Sequence, residues 1–191
     1  MKNAQLFPKL NLFKIVVTIG VIIYFFGLAI FLIQFIHERA LAPRYSASLK
    51  EGIDFTRPGY PAFIKQVTGI SFHENWGRWT DERGAGKVIF TFTEPLPDRF
   101  TLVISAKAYG PNAAAPSLIR IGDVTQNLTI SNTSTFETYR IPFVLNQPSS
   151  TIAITPPKPT APPLTDPNYS DRRRLGIGLE SMQIVLMPPI E

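Results

Sequence analysis

The chain has 191 residues, enough for one ordinary domain and a short appendage, and contains no cysteine, which excludes disulfides, thiolate metal sites and cysteine nucleophiles. Its formal net charge of +5 is spread along the sequence, with one short cluster at Arg172, Arg173 and Arg174. No basic face or motif of the kind that binds nucleic acid is visible.

Residues 1–14 form a tail that carries Lys2, Lys9 and Lys14 and no acidic residue. Residues 15–36 are an uncharged apolar run broken only by Thr18, Gly20, Tyr24, Gly27 and Gln34. At about 1.5 Å per residue a helix of this length reaches roughly 33 Å, which matches a hydrocarbon core of about 30 Å. The run predicts a single transmembrane helix. A cleavable signal peptide is the competing reading, since Ala40-Leu41-Ala42 supplies a small-x-small pattern. Pro43 would follow that cut, however, and the run exceeds the roughly 7–15 apolar residues of such a peptide. The expectation is therefore an uncleaved signal anchor. Arg39, Arg44 and Lys50 nearly balance the positive charge of the tail, and a short basic tail before a first helix stays in the cytoplasm. In a Gram-negative bacterium the chain would sit in the inner (cytoplasmic) membrane with its C-terminal domain in the periplasm.

Residues 37–65 read as a juxtamembrane connector, punctuated by Pro43, Pro58, Gly59 and Pro61. Phe55, Tyr60 and Phe63 are placed to tuck it against the following domain. From residue 66 to 191, alternation at period two recurs. Val88, Phe90 and Phe92 share one face, as do Phe100, Leu102, Ile104 and Ala106, opposite Thr101, Val103, Ser105 and Lys107. Further strands are expected at 117–121, 124–130, 136–143, 151–155 and 174–187. Short strands with Gly, Pro and Asn turns between them predict a mainly-β domain, a jelly-roll-like antiparallel β-sandwich. In the last strand Leu175, Ile177 and Leu179 have one parity, and Met182, Ile184 and Leu186 the other. Either a β-bulge at Glu180-Ser181 brings both sets to one core, or the strand is buried on both faces. The proline-dense stretch after residue 155 is expected to be a long loop.

The densest polar and aromatic cluster is Ser71-Phe72-His73-Glu74-Asn75-Trp76-Gly77-Arg78-Trp79-Thr80-Asp81-Glu82. Indole faces stack on the C–H face of a sugar while Arg and carboxylates bond its hydroxyls, so Glu74, Trp76, Arg78 and Trp79 are candidate ligand-binding residues. The bland alternative is that a tryptophan plugs one end of the sandwich and Arg78 pairs with a carboxylate. A second candidate surface combines Tyr109 and Asn112 with Asp171, Arg172 and Arg174, because arginine forks suit carboxylates or phosphates. Only His37 and His73 could serve as a histidine base, and no serine sits in a nucleophile-elbow sequence. No catalytic residue, metal ligand or cofactor motif is assigned.

Residues Gly69 to Asp81 resemble the opening of a poorly characterised bacterial envelope β-sandwich domain. That domain is associated with phosphoglycerol transferase-like and other surface-glycan membrane proteins. Matching segments are Glu94-Pro95-Leu96-Pro97, Phe100-Thr101-Leu102, Ala106-Lys107-Ala108-Tyr109-Gly110-Pro111-Asn112, Pro156-Pro157-Lys158-Pro159 and Asp171-Arg172-Arg173-Arg174-Leu175-Gly176-Ile177. The resemblance spans residues 66–187 and departs at Ala113-Ala114, where a glycine is expected. It implies an envelope protein that accompanies glycan synthesis or modification and supplies no catalytic residue. The expected function is a membrane-anchored accessory domain whose partners are the membrane, a glycan or glycolipid, and a membrane glycan enzyme. The alternatives are a structural subunit that docks on such an enzyme or an envelope complex, and a weak carboxylate hydrolase.

Overall fold

The computed structural model describes residues 17–30, 44–81, 86–162 and 173–188. Residues 17–30 are helical, within the expected span 15–36, and their large apolar side chains are exposed, from 40% at Leu28 to 69% at Phe26. The tail 1–14, the rest of that span and residues 37–43 lie outside the described residues. Among the described residues no helix is long and apolar enough to cross a membrane.

From Pro43 onward the chain forms a second compact unit, built of β-strands. Its described strands are β1 (Arg44–Tyr45), β2 (Ile53–Asp54), β3 (Tyr60–Pro61), β4 (Ile64–Thr68), β5 (Arg78–Asp81) and β6 (Val88–Phe92). They continue with β7 (Arg99–Ala108), β8 (Ser117–Ile121), β9 (Val124–Leu128), β10 (Glu137–Val144), β11 (Thr151–Thr155) and β12 (Leu175–Leu186). One antiparallel sheet runs β10-β7-β12-β2, with β5 also paired to β12. β7 occupies one edge of β12, so β5 and β2 share the other, one after the other. The second sheet runs β4-β6-β11-β8-β9, and β1 with β3 forms a short parallel pair.

Alternation explains the packing. Val88, Phe90 and Phe92 of β6, Ile119 and Ile121 of β8, and Ile152 and Ile154 of β11 are buried from the second sheet. Phe100, Leu102, Ile104 and Ala106 of β7 meet them from the first, joined by Ile141 and Phe143 of β10. Burying a side chain of this size stabilises the fold by about 1.5–3 kcal/mol, so these inner faces hold the two layers together.

Both readings of the last strand hold, each in its own half. The register of β12 against β7 shifts between Leu179 and Ser181, which makes Glu180 the extra residue of a bulge. Leu179 and Met182 consequently reach the same core. Residues 175–179 are also covered on both faces. Leu186 continues the inward parity but lies beyond the core and is 68% exposed.

The expected connector requires correction. Residues 44–65 contain β1, β2, β3 and the start of β4, and Ile53, Phe55 and Ile64 are core residues. Two-residue strands carry no period that a sequence window can detect, so their membership in the fold is set by tertiary contact. Of the proline-rich stretch, Thr160 bridges to Leu175 by paired 2.9 Å backbone bonds, and residues 163–172 lie outside the described ones.

Candidate ligand-binding face

β5 enters the first sheet from a tight turn. Glu74 and Gly77 exchange backbone hydrogen bonds of 2.9 and 3.0 Å across Asn75-Trp76. Gly77 has φ of 141°, and a Cβ there would stand 2.2 Å from the Leu179 carbonyl oxygen. Only glycine allows so close an approach of this turn to β12. In the resulting register Trp79 lies opposite Gly178, and Gly178 lies opposite Lys107. These three residues therefore share the outer face of the sheet.

Four rings gather on that face. Trp76 and Trp79 meet edge to face, with centroids 4.9 Å apart. Phe136 lies 5.8 Å from Trp76, and Tyr109 lies 5.4 Å from Trp79 in a second edge contact. All four are half-buried, neither core plugs nor free surface residues. Gly178 forms the floor: a Cβ there would come within 3.0 Å of Trp79 Cζ3 and 3.2 Å of Trp76 Cζ3. Glycine weakens a central strand, and here it leaves the room in which the indoles lie against the sheet. The Lys107 ammonium stands 4.5 Å from the Trp76 ring centroid, 4.7 Å from Phe136 and 5.4 Å from Trp79.

A polar frame fixes these rings. Trp76 Nε1 donates to Glu74 Oε2 at 2.9 Å, and Arg173 Nη1 pairs with Glu74 Oε1 at 2.7 Å. The same guanidinium lies 4.9 Å from the ring centroid of Phe72, which is 66% exposed. Farther along the face, Ser105 Oγ donates to Glu180 Oε2 at 2.6 Å. Half-buried rings beside charged donors and acceptors can hold a ligand with one apolar face and several hydroxyls.

Of the residues singled out in the sequence, Glu74, Trp76, Trp79 and Tyr109 come together here. Arg78 does not: as Trp79's neighbour in β5 it faces the opposite way and is only 7% exposed. Its guanidinium donates to Tyr60 Oη and to the Arg57 and Gly59 carbonyls at 3.2–3.3 Å, and stands 4.7 Å from the Tyr60 ring centroid. Tyr60's phenol is pushed up to about 12 by burial, against the opposing pull of Arg78. Asn112 is 1% exposed and ties three segments together, donating to the Tyr109 and Leu175 carbonyls and accepting from the Lys158 amide. Arg174 is exposed and donates to the Pro159 carbonyl, and Arg172 lies outside the described residues. Ser71 and His73 make no pair: Ser71 Oγ accepts from the Trp79 amide, and His73 Nε2 lies 2.6 Å from the Thr56 carbonyl oxygen. Lys107, Phe136 and Gly178 were not foreseen, because only the cross-strand register unites them.

A family model described as a domain of unknown function, DUF7024, matches residues 39–186. Among curated proteins, phosphoglycerol transferase I of Escherichia fergusonii is 37% identical over 142 residues, which is 74% of this chain and 18% of that protein. The protein of the same name in Escherichia coli is 36% identical over the same shares. The chain thus spans only 18% of the length of these relatives. Among solved structures, a family 29 carbohydrate-binding module complexed with mannohexaose superposes with a TM-score of 0.46 at 13% identity, covering 70% of this chain and 88% of that one. A likeness so remote transfers neither a ligand nor a binding residue.

Proposed function

The chain belongs to the DUF7024 family, and from this premise we propose that it is a glycan-recognition domain of the bacterial envelope, an accessory to enzymes that make or modify surface glycans. The observation that carries the reading is the half-buried indole pair laid over Gly178, ringed by Phe136 and Tyr109 and framed by Lys107 and Glu74. An apolar aromatic surface with charged groups at its margin suits a pyranose ring, whose C–H face is apolar and whose rim is hydroxylated. The relatives' name, phosphoglycerol transferase I, supports a setting in which a phosphoglycerol group is transferred. In this proposal the matching region contributes recognition and leaves turnover to an enzyme beside it.

The domain is held at the inner membrane by residues 15–36 and faces the periplasm. Support comes from residues 17–30, whose helix exposes Val17, Ile19, Ile22, Ile23, Phe25 and Phe26. A helix apolar all round is at home in lipid or against apolar protein, and not in water.

Calorimetric titration of the full chain in micelles against a panel of bacterial envelope glycans tests the reading. Trp79→Ala and Trp76→Ala should each weaken binding by about ten-fold or more, as expected for a buried aromatic anchor. Ile89→Ala, on the outer face of the second sheet, should leave affinity unchanged. Circular dichroism should show all three variants folded. Absence of binding in the parent chain, or equal affinity across the variants, refutes the proposal.

A further inference from the structure

Leu186 ends β12 and is 68% exposed, and it lines a cleft of about 490 Å³ remote in sequence from the tryptophans. The edge of β12 that pairs with β2 continues to Leu49, whose carbonyl accepts from the Ile184 amide at 3.0 Å. Ser48, Leu49 and Lys50 thus form one wall, Ile184, Val185 and Leu186 another, and Pro97 of the β6–β7 turn completes the cleft. The first wall is braced by its own turn. The Glu51 amide donates to Ser48 Oγ at 3.2 Å, and Glu51 Oε2 accepts from the Ser48 amide at 2.6 Å. The volume is that of a small-ligand site, commonly about 300–1,000 Å³. Seven lining residues are far fewer than the roughly 20–30 a side that make a stable protein interface. Among the described residues the walls hold no aromatic ring, and Ser48 and Lys50 are their polar members, too few to satisfy the hydroxyls of a sugar. Charges adjoining the lining residues in sequence come in opposite pairs, Lys50 with Glu51 and Asp98 with Arg99. The cleft therefore suits a slender apolar ligand and does not select the charge of whatever head that ligand carries.

Resting on the reading that residues 15–36 hold the chain at a membrane, we propose that this cleft takes one acyl chain of a membrane lipid. Ile30, the last described residue of the apolar helix, is separated from Ser48 by residues 31–47 alone. A bilayer that holds the helix therefore keeps lipid at high effective concentration beside the cleft, and a weak apolar site is filled there without a specific headgroup contact. Leu49, Val185 and Leu186 would lose their exposure to water on binding, which accounts for an exposed leucine at the end of an otherwise buried face.

The test uses the full chain in phosphatidylcholine vesicles that carry a small fraction of a lipid with a photoactivatable group midway along one acyl chain. After irradiation, mass spectrometry of the digested chain locates the adducts. In the parent they should appear at Leu49, Val185 or Leu186 as well as within residues 15–36, in similar yield for a zwitterionic and an anionic photolipid. Leu186→Glu places a carboxylate in the cleft at a position already exposed, and it should cut the cleft adducts about ten-fold while sparing those in residues 15–36. Leu186→Met should retain them. Val144→Glu, at another exposed apolar position, should leave them unchanged. Circular dichroism should show all three variants folded. Adducts confined to residues 15–36, cleft adducts that survive Leu186→Glu, or adducts that require the anionic photolipid overturn the proposal. So does a dimer, seen by sedimentation in micelles, that Leu186→Glu dissociates, because a second copy would then be the occupant. If residues 15–36 carry adducts and the cleft does not, the membrane reading stands and this site fails. If neither carries any, both fall.

Discussion

The outer faces of the two sheets have the same construction and differ in content at one end of the first. On the second sheet, Thr91, Thr151, Ala153, Thr155, Arg120, Thr125 and Asn127 face outward, with only Ile89 and Leu118 as larger apolar residues. On the first, Trp79, Gly178 and Lys107 stand in one register row, with Trp76, Phe136 and Tyr109 gathered round them. Both sheets fill the same core by the same alternation, so packing alone does not explain the difference. A threonine-rich face satisfies a solvent-exposed sheet. The aromatic face goes beyond that need and places a glycine in a central strand to accommodate its rings, and the proposed recognition rests on that excess.

The largest effect should come from what the two faces share. Phe90 of β6 is fully buried and lies 5.7 Å from the ring of Phe55, which follows β2 of the opposite sheet. Phe90→Ala should cost about 3–5 kcal/mol, measured by denaturant unfolding, because it leaves a cavity between the layers. It should weaken glycan binding only to the extent that the fold is lost. Weaker binding in a population still fully folded would mean that the faces are coupled through the core, which breaks the comparison. Next in size is Arg78→Ala. It removes a guanidinium that holds the 57–60 segment and leaves the Arg57 and Gly59 carbonyls without that donor. About 2–3 kcal/mol of stability should be lost. Trp79, one residue along the same strand, should show the reverse balance: a small effect on unfolding and a large one on binding. If Arg78→Ala instead weakened binding at unchanged stability, the two sides of β5 would not divide support from recognition.

Much of this contrast is legible in the sequence, and the rest is missing for identifiable reasons. β6, β8 and β11 fall where their alternation places them, and the parity change at Glu180-Ser181 marks a real bulge. The Trp76–Trp79 segment is conspicuous because its residue types are concentrated in one stretch. Lys107 and Phe136 are unremarkable locally and join the site only when β7 pairs with β12 and the chain enters β10. Arg78 and Asn112 were visible as polar groups, but their burial depends on the 57–60 segment and on β12, distant in sequence. Composition reveals chemical capacity, whereas long-range register decides which capacity faces outward.

Alkali should give the smallest effect and distinguishes the supporting side of β5 from the ring-bearing side. The phenols of Tyr60 and Tyr139 are both pushed up to about 12, Tyr60 first by burial and Tyr139 first by burial and then by its hydrogen bond to Glu137. In the unfolded chain a tyrosine loses its proton near pH 10. Between about pH 10 and 12 the unfolded state therefore binds fewer protons than the folded one, and stability falls as pH rises. The contribution is fully present below that window and stops changing above it. Lysines titrate in the same range, so the informative quantity is the difference between the parent chain and Tyr60→Phe. Urea midpoints measured from about pH 9 to about pH 11.5 should decline less steeply in Tyr60→Phe than in the parent. Tyr139→Phe should show a similar reduction from the β10 side of the first sheet. An unchanged slope in Tyr60→Phe would mean that water reaches the phenol and that Arg78 caps an open niche. The division between the interior and outer sides of β5 would then rest on Trp79 alone.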